Sequence, residues 1–255
     1  MKLSEARAVV TGGASGLGNA VGRLVSSRGG RVCLLDVQAE QGEAAARELG
    51  ASASFIACDV TQESAVDAAM RTAHERMQGL NLLVNCAGIV GAGRVLGKKG
   101  PMSAQFFSRV VQINLIGTFL CDKAAAALMQ SNMPNAEGER GLLIHTSSVA
   151  AYEGQIGQAA YSATKAGVAG MVLPIARELA MFGIRCVAIA PGIFLTPMAA
   201  AMPAEIQESL ARQVPFPPRL GRPEEFAELV AAVFEMPMLN GTTIRLDGAI
   251  RMQPK

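Results

Sequence analysis

Tyr161 and Lys165 stand four residues apart in Tyr161-Ser162-Ala163-Thr164-Lys165, within a stretch of helical patterning. One helical turn separates them, so a phenol and an ammonium share a face. A free phenol has a pKa of about 10. A neighbouring cation lowers the cost of the phenolate and lets Tyr161 act as a general base near neutral pH. Lys165 supplies that charge and is also placed to hold a ribose hydroxyl. Ser148, upstream of Tyr161 at the end of the apolar run GLLIHTSS, can bond a substrate oxygen during proton exchange and stabilise a developing alkoxide. Alone, a Tyr and a Lys at this spacing are more often a surface pair. Together with Ser148 and a nucleotide-type turn, they form a candidate centre for oxidising a secondary alcohol.

That turn is Thr11-Gly12-Gly13-Ala14-Ser15-Gly16-Leu17-Gly18, where Gly12, Gly16 and Gly18 follow an apolar run and open a helix. Glycines permit a tight turn and close backbone approach, and a helix N-terminus attracts pyrophosphate. Asp36, at the end of the second apolar run, can accept both ribose hydroxyls of NAD and would repel a 2′-phosphate. No Lys or Arg in the turn or just after Asp36 offsets that repulsion, which favours NAD over NADP. Asp59 and Val60 after the third run, and Asn85-Cys86-Ala87-Gly88 after the fourth, can line the adenine and ribose side. Ordinary strand-end turns use the same residue types. Asn114, polar within Val110–Leu115, must be hydrogen-bonded if buried, to backbone and to a water leading to Lys165, or simply in helix packing.

The elements that must position these groups are legible as a series. Short β-branched runs at 6–11, 31–36, 54–60, 81–88, 141–148, 184–192 and 242–248 alternate with helical patterns. This is an α/β chain with βαβ units and a doubly wound parallel sheet. No linker or repeat divides residues 1–255, so one domain is expected. Thr61 is a candidate N-cap for a helix over 62–77, Pro223 opens another, and Pro174 should distort a helix over about 158–182. Two segments stand apart. Residues 88–102 read as a flexible loop. Residues 194–219 read as a Pro-bounded lid with a helix carrying Met198, Met202, Ile206 and Leu210. These four positions, spaced by four, form one face that either packs as core or covers a substrate.

Half of the 255 residues are apolar and the formal charge is +2, which gives no basic surface for nucleic acid or membrane. A small-molecule substrate is expected. Five separated cysteines and two histidines, with no close pairs, lack metal-ligand spacing, and no bound metal is expected. The isolated cysteines point to a reducing compartment, and no targeting segment is visible, so the cytoplasm is expected.

TGGASGLG, NCAG, Asn114, Ser148, YSATK and Pro191-Gly192 together resemble the short-chain dehydrogenase/reductase family along essentially the whole chain. The resemblance implies a Rossmann fold with a seven-stranded sheet, a homotetramer, and Asn114, Ser148, Tyr161 and Lys165 as a catalytic set. Pro191 and Gly192 join the cofactor-contact positions. SSVAAYEGQIGQAAYSATK, QVPFPPRLG and LNGTTIRLDGAIRMQP are similar to family members that oxidise short or branched 3-hydroxyacyl-CoA thioesters. This narrower likeness adds Ser15, Leu17, Asp36, Asp59, Val60, Cys86, Phe194 and Thr196 to the NAD contacts. His145, Ser147 and Leu195 depart from it, and 89–102 agrees only loosely. Arg94, Lys98 and Lys99 would meet CoA phosphates or stay solvated. Steroid, simple-alcohol and 3-oxoacyl substrates are alternatives, and an RNA-processing scaffold is a non-enzymatic one that the near-neutral charge disfavours.

Overall fold

A computed structural model describes residues 1–98 and 100–254. Lys99, and the side chain of Met198, lie outside the described residues. In chain order the strands are β1 (Arg7–Thr11), β2 (Arg31–Asp36), β3 (Ala53–Ala57), β4 (Leu82–Asn85), β5 (Leu96–Gly97), β6 (Gly100–Pro101), β7 (Gly141–Thr146), β8 (Ile184–Pro191) and β9 (Thr243–Leu246). Seven form one sheet in the order β3-β2-β1-β4-β7-β8-β9, and every pairing in it is parallel. The two-residue strands β5 and β6 form a separate antiparallel hairpin, so the segment read as a loop carries local pairing.

The helices are α1 (Gly16–Ser27), α2 (Ala39–Leu49), α3 (Glu63–Met77), α4 (Ala104–Val111), α5 (Gly117–Met129), α6 (Ala159–Leu179), α7 (Pro197–Ala200), α8 (Ala204–Ala211) and α9 (Pro223–Glu235). Covered on both faces, the strands need no polar alternation. Along β1, Ala8 and Val10 enter one core with α1 and α9, while Val9 enters the other with α3, α5 and α6. The strand order reverses beside β1, so the C-terminal ends of β1 and β4 flank the crevice where such sheets bind ligands.

Several boundaries differ from expectation. Thr61 is not the cap of α3, because Asp59 Oδ1 accepts both its amide (2.9 Å) and its hydroxyl (2.8 Å), and Gln62 takes the N-cap position. The helix α6 runs through Pro174. Pro174 has no amide to offer the carbonyl four residues back, and that residue is Gly170, which is exposed. Ser148 sits beyond β7 as the cap of a 3-10 turn over Val149–Ala151, its Oγ accepting the Ala150 amide at 3.1 Å. The lid is two helices, α7 and α8, broken at Pro203. Met202 therefore lies in the break rather than on one stripe with Ile206 and Leu210. The lid's ends are tied where Phe194 bridges Gly221.

One buried pair ties the middle of the sheet to α5. Asp122 accepts Asn85 Nδ2 at 2.8 Å and lies 2.8 Å from His145 Nε2, with Cys186 Sγ at 3.7 Å from the same nitrogen. The His145 and Asp122 side chains are 0% and 4% exposed. The continuous helical run Ala104–Met129 is apolar and long enough to cross a membrane, yet half of its most apolar window is buried in the protein and its inner side holds Asp122. Burial alone disfavours the imidazolium. The adjacent Asp122 charge, with Cys186 and the hydrogen bonds, outweighs it, and His145 titrates well above the ordinary histidine value.

A folded-state pKa above the unfolded one contributes stability that is fully present below the unfolded pKa of about 6.5 and lost as pH rises through the folded value. Asp122→Asn is therefore expected to lower the unfolding free energy at pH 6 by on the order of 3–5 kcal/mol, the cost of stranding a buried partner. Urea titrations across pH should show the deficit shrinking in alkaline solution. A deficit that grows with pH would reject the ion pair.

Candidate active site

The turn after β1 is built for a ligand to approach its backbone. Gly12 has φ +64°, and a Cβ there would sit 2.8 Å from the Ala87 amide nitrogen. A Cβ on Gly18 would collide with the Gly12 carbonyl. Thr11 Oγ1 accepts the Cys86 and Ala87 amides at 3.2 and 3.1 Å, fixing the ends of β1 and β4 together. The next chain segment, from extended Ser15 through Gly16 and Leu17, starts α1, whose first amides have no intrahelical acceptor. Thr196 packs over Gly16 and caps α7.

Asp36 lies beside this turn. Its Oδ2 accepts the Ala14 amide at 3.1 Å and its Oδ1 the Gln38 amide at 3.1 Å, which leaves lone pairs on both oxygens for ribose hydroxyls. Val37, next in sequence, is exposed and uncharged. The set fits a dinucleotide with an unmodified 2′-hydroxyl.

At the other side of the crevice, Lys165 is buried and its Nζ donates to the Thr146 carbonyl at 2.6 Å. Nζ is 5.7 Å from the centre of the Tyr161 ring. Burial lowers the lysine to a pKa of about 8. Burial likewise raises the Tyr161 phenol above its ordinary value, and a hydrogen bond with Ser148 pulls it back. Ser147 Oγ holds the Lys165 carbonyl at 2.8 Å. The region thus brings together a phenol, a buried ammonium and a hydroxyl, groups that are able to take a proton from an alcohol and hold the resulting oxygen.

Asn114 occupies a π turn, Gln112–Ile116, between α4 and α5, a local widening common at functional sites. Its carboxamide exchanges two bonds with the Ile89 backbone, at 2.8 and 3.0 Å, and donates to Thr164 Oγ1 at 3.2 Å. The backbone half of the expectation for Asn114 is met by Ile89. A Cβ on Gly88 would lie 3.2 Å from Asn114 Oδ1 and 3.7 Å from Lys165 Nζ, so this glycine lets the three meet.

Of the other predicted contacts, Cys86 takes the Thr146 hydroxyl at 3.4 Å and burial holds its thiol neutral, at about 11. Val60 packs on Gly117, and Asp59 engages Thr61 through Oδ1 alone. Asn85 turns its side chain into the sheet toward Asp122, so only its backbone borders the crevice. Pro191 ends β8, Gly192 follows it against Asp247 and Ile250, and buried Phe194 closes the lid base. Thr11, Thr146 and Thr164 were missed as site residues. A threonine directly before the first glycine is the one local signal; the other two act through a backbone carbonyl and a helix-packing hydroxyl.

Comparison with known proteins agrees with this geometry. The family model described as short chain dehydrogenase matches residues 6–207. The 3-hydroxyacyl-CoA dehydrogenase type-2 of Drosophila melanogaster is 48% identical over 254 residues, 99% of this chain and 100% of that protein. The protein of the same name from Homo sapiens is 50% identical over 249 residues, covering 97% and 95%. The crystal structure of 3-hydroxyacyl-CoA dehydrogenase type-2 from Mycobacterium avium matches with a TM-score of 0.92 at 40% identity, covering 97% of this chain and 96% of that one.

Because Lys165 is lowered by burial, it keeps its charge at neutral pH and loses it as pH passes about 8. Carbon-13 NMR of the lysine Cε groups should show one resonance, absent in Lys165→Arg, titrating there. A midpoint for Lys165 at 10 or above would mean that the ammonium is solvated rather than held dry against Tyr161.

Proposed function

The chain belongs to the short-chain dehydrogenase family, and we propose that it oxidises the 3-hydroxyl of a short or branched 3-hydroxyacyl-CoA with NAD. It is an oxidoreductase acting on a CH–OH group. The observation that carries the reading is the placement of Ser148, Tyr161 and buried Lys165 beside a glycine turn flanked by Asp36. NAD would lie on the Gly12–Gly18 turn with its adenosine ribose at Asp36, and when bound it accepts the hydride. Tyr161 takes the hydroxyl proton, Ser148 donates to the oxygen that becomes the carbonyl, and Lys165 offsets the phenolate charge while holding a ribose hydroxyl. Asn114 keeps the Ile89 backbone and α6 in register beneath them.

The thioester part rests on the relatives' printed activity and on the site's surroundings. Apolar side chains are exposed on the three segments that leave the strand ends: Val95 and Leu96, Ile156, and Leu195, Met202 and Ile206 on the lid. Such patches are suited to an acyl chain. Exposed Arg94 and Lys98 stand on the first segment, where CoA phosphates can meet them. A homotetramer is the assembly we expect.

Tyr161→Phe keeps the ring and removes the proton acceptor, and should cut kcat by at least about a hundredfold while NADH binding, followed by nucleotide fluorescence, persists. Turnover near that of the unaltered chain would dismiss Tyr161 as base. Reduction of acetoacetyl-CoA should run well with NADH and poorly with NADPH, because Asp36 repels the 2′-phosphate. The reverse preference would overturn the cofactor. Met202→Glu should raise the KM for acyl-CoA and leave the Kd for NADH alone. An unchanged KM in the folded variant would remove the lid break from the substrate site, and a panel of 3-hydroxyacyl-CoAs, steroids and simple alcohols ranked by kcat/KM tests the substrate class itself.

A further inference from the structure

Ser148 and Tyr161 are joined by a span that is neither strand nor long helix: a 3-10 turn, then Tyr152–Gln158 with Gly154 and Gly157, the latter at φ +91°. Such a span has many conformations of its own and must be ordered by partners. Its middle residues find them in the C-terminal segment. Both oxygens of Glu153 accept from Arg245, from Nη1 and Nη2 at 2.9 Å each. Gln155 Nε2 donates to the Gln253 carbonyl at 3.0 Å, and the Ile156 amide to the Pro254 carbonyl at 3.0 Å.

The C-terminal segment is irregular too. After β9 it turns through Asp247, whose Oδ1 accepts the Ala249 amide at 3.0 Å, and drops Ile250 into a fully buried site. Arg245 reaches this side with its remaining donors: Nε to Asp247 Oδ2 at 2.7 Å and Nη2 to the Ile250 carbonyl at 3.1 Å. Its charge also lies 5.5 Å over the Tyr152 ring. Arg251 adds weaker, more exposed contacts to Glu153 and Asp247. One planar guanidinium therefore bolts two otherwise loose segments together, and it belongs to β9, the rigid edge of the sheet.

We propose that Arg245 is a positioning residue for the dehydrogenation, its clamp on Glu153 and Asp247 setting the separation of Ser148 from Tyr161. A bidentate carboxylate contact with two further bonds in fixed directions is something only an arginine makes. Lysine at this position keeps the charge and loses the geometry. The proposal rests on the roles given above to Ser148 and Tyr161, and it goes beyond them by placing control of their spacing in residues that touch neither substrate nor cofactor.

The chain has no tryptophan and only two tyrosines, Tyr152 and Tyr161. In a Tyr152→Phe background, tyrosinate absorbance reports Tyr161 alone, with no substrate present. Adding Glu153→Gln or Arg245→Lys should make Tyr161 a weaker acid by roughly tenfold, the size of a lost hydrogen bond to the charged form. The same changes should lower kcat by roughly tenfold to a hundredfold, as misplacing reacting groups by about an ångström does, while the Kd for NADH holds. The two substitutions should also be non-additive when combined, since both break one contact. If thermal stability falls but the Tyr161 titration and kcat stay where they were, the clamp is merely structural and the proposal is overturned. Because the titration needs no substrate, it decides the matter even if no 3-hydroxyacyl-CoA is turned over, an outcome that would count against the proposed substrate alone.

Discussion

The hydrogen bond from the Lys165 ammonium to the Thr146 carbonyl is the interaction on which the rest of this site depends. A cation out of water is tolerated only where fixed dipoles replace its hydration. Here the carbonyl belongs to the last residue of β7 and the cation to the second turn of α6, so a single 2.6 Å contact sets the depth and rotation of that helix on the sheet. Tyr161, one turn earlier, inherits its place from the same contact. Ser147 reinforces it by donating its hydroxyl to the Lys165 carbonyl. Residual desolvation keeps the ammonium less basic than a free lysine, which makes its charge available to the phenol at short range with little water between them.

The strands that present these groups are locked by polar contacts buried at their ends. Thr11 joins β1 to β4 through two amides, and Asn85, Asp122 and His145 join β4 and β7 to α5. Polar groups at such depth cost heavily unless paired, so each admits few arrangements of its neighbours. Hydrophobic packing alone would tolerate small slips of one strand against the next. These bonds do not, and they stand one or two residues from the Gly12 turn on one side and the Thr146 carbonyl on the other. The asymmetry of the molecule follows: a rim of strand ends pinned by buried hydrogen bonds carries the proposed centre, and the connections carry the rest.

Most of the proposed centre is legible in the sequence because it is local. A glycine spacing, an aspartate ending β2 and a Tyr-Lys pair one turn apart are each decided within a few residues, and the seven strands and their alternation with helices follow from β-branched runs between turn residues. What escaped depends on partners far along the chain. Asn85 looks like a cleft residue until Asp122, 37 residues away, claims its amide. Thr61 is a good cap by type, yet Asp59 binds it first. The four-residue spacing across the lid suggests one helix, but Pro203 supplies no amide and starts a second one. The π turn at Asn114 has no local signature at all. The Asn114 carboxamide within it bonds the Ile89 backbone and Thr164, both far along the chain.

The same division bears on how such a site can change its substrate without losing its reaction. The residues proposed to move protons are attached to strand ends and to α6, whose inner positions are almost wholly buried, so alterations there disturb the sheet itself. The exposed apolar residues around them sit on the hairpin segment, on the Tyr152–Gln158 span and on the lid, none of which contributes a strand to the main sheet. Loops of this kind accept substitution and length change at small cost to stability. The Tyr152–Gln158 span is the exception, because it lies between the two hydrogen-bonding residues of the centre and is tethered through Arg245 to β9. Substrate range is therefore free to vary on two of the three walls. The third is bound to the geometry of proton transfer, and a change there alters rate and specificity together.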